Sequence, residues 1–526
     1  MPAIPQRLLG EALIRSASKF PGKTAIIKKG VDYTYGQMKS DALKLAAHLI
    51  SHGLKKGDRV AVYRHNSWQC ALAIYASSLA GGVFMVVNVQ TKAGKLNYIL
   101  NDSGAKVLIT EGIMLEEAEA ALEGNDSVKY IISSGSPCKN GQSTLKTEVL
   151  EELLSGPQPD ADFPNIIPND LAALIYTSGS TGFPKGVMMT HQSMVFTSWS
   201  LIEYLRLDED ERIMLMLPLA FDYGLYQLIM SVTLGATLIV EYSFTFPASI
   251  YQSIETYKPT VFPGVPTIYA MMIASNKATG IAFPAIRKVT NTAAALPAEF
   301  IPDLRRLFPE ALIFSMYGLT ECKRVCYLEP ELLDAKPRSV GKAIPGTEVF
   351  LLGNDDQPVK PGEAGILHIR GPHVMVGYWN KEDLSIQMLK QGLYPGERVL
   401  CSNDWFTMDD EGFLYFQGRN DDIIKTRGEK VSPMEVENVI YQLPGVKEAA
   451  VVGIPHSVLG ESIVAFITIH EGSGLNEKDI LKQCSGHLES FMIPSGVFIL
   501  DEMPKSLNGK IDKKELKPLA IQKSEG

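Results

Sequence analysis

Short apolar runs alternate with helix-like segments through the first four hundred residues, and this alternation restricts the possible folds more than any other feature. The apolar runs are typical of strands: Arg59–Tyr63, Gly82–Val87, Lys106–Thr110, Val128–Ser133, Leu171–Thr177 and Thr237–Val240. Helix-like segments such as Tyr35–His52 and Leu96–Asp102 lie between them. Because parallel strands need long crossover connections, the pattern predicts an α/β fold of parallel-type sheets with helices.

The pattern changes between Gly346 and Gly418, where shorter strands are separated by polar turns such as residues 354–356. This texture predicts an antiparallel, barrel-like section. We therefore expect residues 1–418 to form one large N-terminal domain.

A new pattern begins after Gly418. The residues Ser432-Pro433-Met434-Glu435 have the sequence of a capping box with proline at the first helical position. Two apolar runs, Ala449–Gly453 and Ile463–Ile469, follow and are typical of strands. Residues 419–526 are accordingly predicted to form a small, mobile α+β domain.

Composition is that of an ordinary globular chain. A length of 526 residues exceeds what a single core usually organises, and 45% apolar with 21% charged residues is typical of soluble proteins. The net charge of −9 gives no indication of nucleic-acid binding, which would need a basic surface.

The sequence predicts neither a membrane span nor a secretory signal. The window Tyr223–Val240 has 18 uncharged residues but several polar ones, so we interpret it as a buried helix followed by a buried strand. The N-terminus lacks a long apolar segment. Six cysteines without metal-ligand spacing fit a reducing compartment, and we expect a cytoplasmic protein.

The segment from Tyr176 to Gly186, with the sequence YTSGSTGFPKG, follows an apolar strand and mixes glycines with hydroxyl residues and a lysine. Such a loop offers backbone N–H groups, hydroxyls and a cation to phosphate oxygens. It lacks the spacing of a Walker loop. A flexible surface loop rarely needs this combination, so the segment predicts phosphate binding.

This loop resembles the phosphate loop of the AMP-forming adenylating enzymes, a family that includes acyl-CoA synthetases, amino-acid adenylation domains and beetle luciferases. The resemblance extends over essentially the whole chain. It implies that the loop contacts the β- and γ-phosphates of ATP through these residues: Thr177, Ser178, Gly179, Ser180, Thr181, Gly182 and Lys185.

A second matching motif is SMYGLTE, from Ser315 to Glu321. The resemblance implies that Tyr317 lies against adenine, that Thr320 meets the α-phosphate and that Glu321 helps to hold Mg²⁺. A single carboxylate suits this ion, which keeps its other positions for waters and phosphates.

The third match combines Asp404 with Arg419. In similar enzymes this aspartate holds both ribose hydroxyls. Ser402 and Asn403 replace the threonine and glycine that usually precede it, which affects only the local turn. The resemblance also implies that Asp421 is the hinge of the small domain and that Gly428 lines a tunnel for the thiol.

The fourth match is the turn Asn508-Gly509-Lys510 near the C-terminus. By resemblance, Lys510 is the adenylation lysine, whose ammonium group neutralises negative charge that builds up in the transition state.

The resemblance also implies where the acid binds: Phe221, Asp222, Gly264, Ala293, Ala294 and Ala295. Small residues would allow the backbone to approach the acyl-adenylate. Two interpretations of Asp222 remain open. It binds a substrate ammonium, as in amino-acid adenylation domains, or it caps the helix that follows it.

These features predict an AMP-forming acid–thiol ligase that uses Mg²⁺ and ATP. It would adenylate a small carboxylic acid, release pyrophosphate and transfer the acyl group to CoA or to the phosphopantetheine of a carrier protein. The alternatives are a stand-alone amino-acid adenylation enzyme, for example for proline, a luciferase-like oxidase and a non-catalytic binder. The presence of Lys185, Glu321, Asp404 and Lys510 argues against a binder.

Overall fold

The computed structural model describes residues 6–135, 145–177, 184–242, 247–420, 422–426, 429–456, 459–506 and 509–525. The α-helices in these ranges are α1 (Leu9–Lys19), α2 (Tyr35–Ser51), α3 (Trp68–Leu79), α4 (Ala93–Ser103), α5 (Leu115–Ala120), α6 (Leu150–Ser155), α7 (His191–Tyr204), α8 (Asp222–Leu234), α9 (Pro247–Tyr257), α10 (Pro266–Thr279), α11 (Ile301–Leu307), α12 (Glu382–Met388), α13 (Pro433–Tyr441), α14 (Glu477–His487) and α15 (Lys513–Glu525).

The strands are β1 (Thr24–Lys28), β2 (Val31–Thr34), β3 (Arg59–Tyr63), β4 (Val83–Val87), β5 (Val107–Glu111), β6 (Tyr130–Ser134), β7 (Lys146–Val149), β8 (Leu171–Thr177), β9 (Lys185–Thr190), β10 (Arg212–Leu215), β11 (Thr237–Val240), β12 (Val261–Gly264), β13 (Lys288–Asn291), β14 (Leu312–Tyr317), β15 (Cys326–Leu328), β16 (Lys342–Ala343), β17 (Glu348–Leu352), β18 (Ala364–Arg370), β19 (Gly377–Tyr378), β20 (Leu389–Gln391), β21 (Arg398–Met408), β22 (Leu414–Arg419), β23 (Ile424–Thr426), β24 (Glu429–Val431), β25 (Val446–His456), β26 (Gly460–Ile469) and β27 (Gly496–Ile499).

The strands form two large sheets and two smaller ones. The first large sheet has the order β16-β15-β14-β13-β12-β10-β11-β1-β2, and the second has the order β19-β9-β8-β4-β3-β5-β6-β7. Their central strands are parallel. Antiparallel strands complete both edges of the first sheet and the β19 edge of the second, whereas β7 at its other edge is parallel to β6. The chain is therefore α/β, with parallel-type sheets and helices as the sequence predicted.

Strand β3 shows why these sheets are buried on both faces. Val60 and Val62 pack into the core with α2 and α3, whereas Ala61 and Tyr63 pack into a separate core with α4. Because successive side chains point to opposite faces, a strand between two helix layers is apolar throughout.

The third and fourth sheets lie in the second half of the chain. In the third, β17, β18, β21 and β20 are consecutive antiparallel neighbours and β22 pairs with β21, which confirms the antiparallel section. The fourth contains β24, β23, β26 and β25, with β27 parallel to β26, and has its own buried clusters. The division at residue 418 stays a prediction.

The cap predicted at Ser432 is present. Its Oγ accepts from the N–H of Glu435 at 3.4 Å, and Pro433 is the first residue of α13. The same hydroxyl donates to the carbonyl of Gln417 on β22, and Tyr441 of α13 packs edge-on against Phe300. These contacts join the C-terminal segment to the third sheet and to the segment that precedes α11.

The uncharged window after residue 222 is the buried helix and strand that the sequence predicted, namely α8 and β11. In the part of the chain that the structure describes, none of the helices has both the length and the apolar character needed to cross a membrane.

Candidate active site

The predicted phosphate loop connects β8 to β9, an antiparallel pair in which Thr177 lies opposite Lys185. This pairing holds the two ends of the loop together at one edge of the second large sheet. Residues Ser178, Gly179, Ser180, Thr181 and Gly182 lie outside the described residues.

Lys185 joins a hydrogen-bonded chain with Tyr378 and Glu321. Its Nζ donates to Tyr378 Oη at 2.7 Å, and that hydroxyl donates to Glu321 Oε1 at 2.6 Å. Lys185 Nζ is also 3.4 Å from Glu321 Oε1 and 4.1 Å from the centre of the Tyr378 ring. Burial, and then the adjacent Glu321 carboxylate, raise the pKa of the Tyr378 hydroxyl, so it stays a donor.

Strand pairing brings these three side chains together. Strand β19, which carries Tyr378, pairs antiparallel with β9, which begins at Lys185. The N–H of Met375 donates to the carbonyl of Glu321 at 2.8 Å and connects the segment before β19 to the SMYGLTE motif. The sequence analysis missed Tyr378, because its partners are 57 and 193 residues away.

Tyr317, Asp404 and Arg419 form a second group. Tyr317 Oη donates to Asp404 Oδ2 at 2.5 Å, and Arg419 Nε donates to Asp404 Oδ1 at 3.3 Å. Burial raises the pKa of the Asp404 carboxyl, while Arg419 and Tyr317 oppose that shift by stabilising the anion. The Tyr317 ring packs edge-on against Phe406, with 4.8 Å between centroids.

The turn predicted before Asp404 is absent, because residues 402–404 lie within β21, where its register with β18 shifts. Asn403 adopts φ +57°, a left-handed conformation that asparagine tolerates better than most residues. Ser402 Oγ accepts from the N–H of Asp404 at 3.0 Å and fixes the backbone there.

Lys510 belongs to the C-terminal segment but lies at this cleft. Lys510 as a whole is solvent-exposed. Desolvation by the surrounding protein and repulsion from Arg419 nevertheless lower the pKa of its ammonium, while Asp222 and Asp404 oppose the shift. Gly509, the preceding residue, has φ +73°. An ideal Cβ at Gly509 would lie 3.7 Å from Thr267 Oγ1 on α10. The hinge residue Asp421 and the tunnel residue Gly428 lie outside the described residues.

The predicted acid-binding residues lie where parallel strands of the first large sheet end. Gly264, the last residue of β12, is in register with Asn291 of β13, which is in register with Ser315 of β14. A Cβ at Gly264 would come within 2.6 Å of the Tyr269 ring, so this strand end requires glycine.

The chain turns sharply beyond β13. Ala293 adopts φ +76°, and the Asn291 side chain donates to the Ala294 carbonyl at 3.0 Å. Ala293 and Ala295 are half-buried and Ala294 is exposed, so the three small side chains line an open cleft.

The interpretation of Asp222 as a helix cap is wrong. Helix α8 begins at Asp222 itself, Phe221 occupies the N-cap position, and no side-chain cap hydrogen bond is present at this end of α8. Asp222 Oδ2 instead accepts from Arg324 Nη1 at 3.3 Å. The signal for Arg324 was two adjacent cations, Lys323 and Arg324, which follow the SMYGLTE motif after Cys322.

Comparison with known proteins agrees with this architecture. The model of the AMP-binding enzyme family matches residues 13–379, and that of the AMP-binding enzyme C-terminal domain matches residues 435–510. A long-chain-fatty-acid–CoA ligase of Bacillus subtilis is 30% identical, over 98% of this chain and 94% of the relative.

Two solved structures have the same fold over nearly their full length. The anthranilate CoA ligase AuaEII in complex with anthranoyl-AMP superimposes with a TM-score of 0.90 at 25% identity, over 100% of this chain and 99% of that one. The o-succinylbenzoate CoA synthetase of Bacillus subtilis, in complex with ATP and magnesium, has a TM-score of 0.81 at 26% identity, over 96% and 98%.

The family model covers well over half of the chain. The chain therefore belongs to the AMP-binding enzyme family, the AMP-forming adenylating enzymes.

Proposed function

We propose that this protein is an acyl-CoA ligase that activates a fatty or aryl carboxylic acid as its adenylate. The observation that carries the proposal is the approach of the C-terminal turn to the large sheets: an ideal Cβ at Gly509 lies 3.7 Å from Thr267 Oγ1 on α10. The charges of Asp222, at the predicted acid site, and of Asp404, at the predicted ribose site, both favour the charged form of the adjacent Lys510. An ammonium group located between the acid site and the nucleotide site can stabilise the negative charge that develops when the two substrates react.

The first step joins two anions, and the side chains at the cleft reduce the cost of doing so. An oxygen of the substrate carboxylate bonds to the α-phosphorus of ATP, and the bond from that phosphorus to the bridging oxygen breaks, releasing pyrophosphate. Lys510 stabilises the charge on the pentavalent transition state, and Thr320 donates to the α-phosphate. Asp404 accepts from the ribose hydroxyls.

The residues around Glu321 fit a magnesium ion. Its carboxylate is 8% exposed and lies beside the ends of the phosphate loop, and Mg²⁺ binds through one or two carboxylates together with substrate phosphates. When bound, the ion supplies positive charge to the phosphate oxygens. Lys185 Nζ, 3.4 Å from Glu321 Oε1, can turn from that carboxylate to the γ-phosphate.

The second step transfers the acyl group to a thiol. A thiolate sulfur bonds to the carbonyl carbon of the adenylate, and the bond from that carbon to the AMP oxygen breaks. We propose CoA as the thiol, which the similarity to CoA ligases supports. A carrier protein presents its thiol on the same phosphopantetheine arm as CoA. The test therefore includes both thiols.

Pyrophosphate exchange into ATP, measured over a panel of fatty, aryl and amino acids, tests the first step. Thioester formation from the best acid, with CoA or phosphopantetheinyl carrier protein, tests the second. We expect acid-dependent exchange and CoA-dependent AMP release. Exchange without thioester formation, accompanied by oxygen uptake, would instead indicate a luciferase-like oxidase, and the absence of any ATP turnover would indicate a binder.

A further inference from the structure

The carboxylate of Asp222 is already paired within the protein. Its Oδ2 accepts from Arg324 Nη1 at 3.3 Å, and the Asp222 side chain is 20% exposed while that of Arg324 is 2% exposed. The carboxylate therefore faces the cleft, and the guanidinium lies behind it. The sequence left Asp222 open between a substrate ammonium and a helix cap, and in the structure its partner is an internal cation.

Arg324 is held in this position by further contacts. Nη1 also donates to the Lys323 carbonyl at 2.7 Å, and the guanidinium carbon lies 4.9 Å from the centre of the Tyr223 ring. Tyr223 is itself fixed, since its hydroxyl is bonded to Thr290 on β13. Moving Arg324 away from Asp222 would leave a buried cation without its carboxylate, which is costly.

Two more cations act on the same carboxylate. Lys323 is fully buried, and its Nζ donates to the Thr320 carbonyl at 2.7 Å. Asp222 interacts favourably with the ammonium groups of both Lys323 and Lys510. A substrate ammonium at Asp222 would thus be the fourth cation around one carboxylate.

We propose that Arg324 is a specificity-determining residue that neutralises Asp222 and makes the acid pocket reject amino acids. The accepted acid then carries an uncharged group next to its carboxyl. This inference rests on the proposed function, because it assumes that Asp222 borders the acid pocket of an adenylating enzyme.

Matched pairs of acids that differ only by the ammonium group test the inference on the unmodified protein. Suitable pairs are 3-phenylpropanoate with phenylalanine, cyclopentanecarboxylate with proline, and hexanoate with 2-aminohexanoate. Pyrophosphate exchange should favour the uncharged member by about 100-fold or more in kcat/KM, because an ammonium placed among buried cations lacks compensation.

Failure of this inference can be distinguished from failure of the proposed function. Exchange that favours the amino acids, or that treats both members alike, would overturn the role of Arg324 and leave the adenylating activity intact. Exchange with no acid in the panel would contradict the proposed function itself.

Variants of Arg324 and Asp222 test whether their ion pair sets the preference for uncharged acids. Arg324→Met removes the one cation that is hydrogen-bonded to Asp222 among the described residues, so the preference for uncharged acids should fall by about 10-fold or more, whereas Arg324→Lys should retain it. Adding Asp222→Asn to Arg324→Met removes both charges and should restore the preference. An unchanged preference in Arg324→Met would overturn the proposal.

Asp222→Asn alone covers the case in which Arg324→Met does not fold, as judged by thermal unfolding. The amide keeps the size of the side chain and leaves the Arg324 charge in place, so the preference for uncharged acids should persist. If Asp222 held a substrate ammonium instead, the same substitution would selectively abolish exchange with amino acids.

Discussion

Three ion pairs of the described residues lie at the candidate site; two join residues more than 100 positions apart in the chain, and the third joins the neighbouring strands β21 and β22. The three pairs are Lys185 with Glu321 at 3.4 Å, Arg324 with Asp222 at 3.3 Å and Arg419 with Asp404 at 3.3 Å. Because Glu321 and Asp404 are buried, displacing their internal cations requires a replacement partner for each carboxylate, which the proposed Mg²⁺ and ribose hydroxyls would supply.

Replacing Lys510 should separate the two half-reactions. In Lys510→Ala the adenylation step loses the cation beside Asp404 and Asp222, so pyrophosphate exchange should fall by about 100-fold or more. Thioester formation from supplied acyl-adenylate needs no charge at the α-phosphate and should remain largely intact. Equal losses in both half-reactions of a folded variant would refute this role.

Removing the Tyr378 hydroxyl should weaken the binding of magnesium and leave the KM of the acid unchanged. Tyr378→Phe removes the hydroxyl that donates to Glu321 and accepts from Lys185, so these two charges would pair directly and compete with the metal. A hydrogen bond to a charged group contributes roughly 1.5–3 kcal/mol, which corresponds to a rise of about 10- to 100-fold in the Mg²⁺ concentration for half-maximal exchange. Titration calorimetry of Mg²⁺-ATP should show the same weakening, and a change confined to the KM of the acid would contradict it.

Helices α1 and α7 meet through a buried imidazole. The N–H of Leu9 in α1 donates to Nδ1 of His191, the first residue of α7, at 3.2 Å. Burial lowers the pKa of His191 to about 4, although Asp170 opposes the shift. The imidazole is therefore neutral in the folded chain, and its lone pair accepts the bond that fixes the end of α1.

This contact predicts a loss of stability on acidification. Between pH 6.5 and 4 the unfolded chain binds a proton at His191 that the folded chain does not, so the free energy of unfolding falls as the pH is lowered. At pH 5 the cost is about 2 kcal/mol relative to pH 8. At pH 8 the unfolding temperature of His191→Gln should be lower than that of the unmodified protein. Between pH 6.5 and 4 it should depend less on pH. An identical pH dependence in both proteins would exclude the contribution of His191.

At the scale of the whole molecule, the arrangement of the two parts of the chain suits adenylate formation, since Lys510 lies at the cleft. We expect thioester formation to need another arrangement, reached by rotation at Asp421. Closure and rotation of this kind commonly gate turnover.

A disulfide across the cleft should lock the adenylating arrangement. An ideal Cβ at Gly509 lies 3.7 Å from Thr267 Oγ1, so cysteine sulfurs at these two positions could bond after a small shift of the turn. Oxidised Thr267→Cys/Gly509→Cys should keep pyrophosphate exchange and lose thioester formation, and reduction should restore it. The positive φ of Gly509 adds a strain of roughly 1–2 kcal/mol.

The reduced double variant and Thr267→Cys alone are the controls for this strain and for the loss of the Thr267 hydroxyl. The cysteines within the described ranges are buried and should not interfere with oxidation. Thioester formation at an undiminished rate in the locked protein would show that rotation is not required.

Local patterns in the sequence were sufficient for much of the fold. The apolar runs at β3, β8 and β11 have the bounds that the sequence predicted, because strand formation there depends on a continuous stretch buried on both faces. The cap at Ser432 is likewise decided within four residues.

The sequence by itself also determined the family, since the loop from Tyr176 to Gly186 and the SMYGLTE motif are contiguous segments whose chemistry can be recognised in one dimension. Only the tertiary structure decided the partners of individual charges. Arg324 is 102 residues from Asp222, and Tyr378 is 193 residues from Lys185. Rules of helix and strand formation act over a few residues, whereas a buried charge takes whichever partner the packing of distant strands brings within reach.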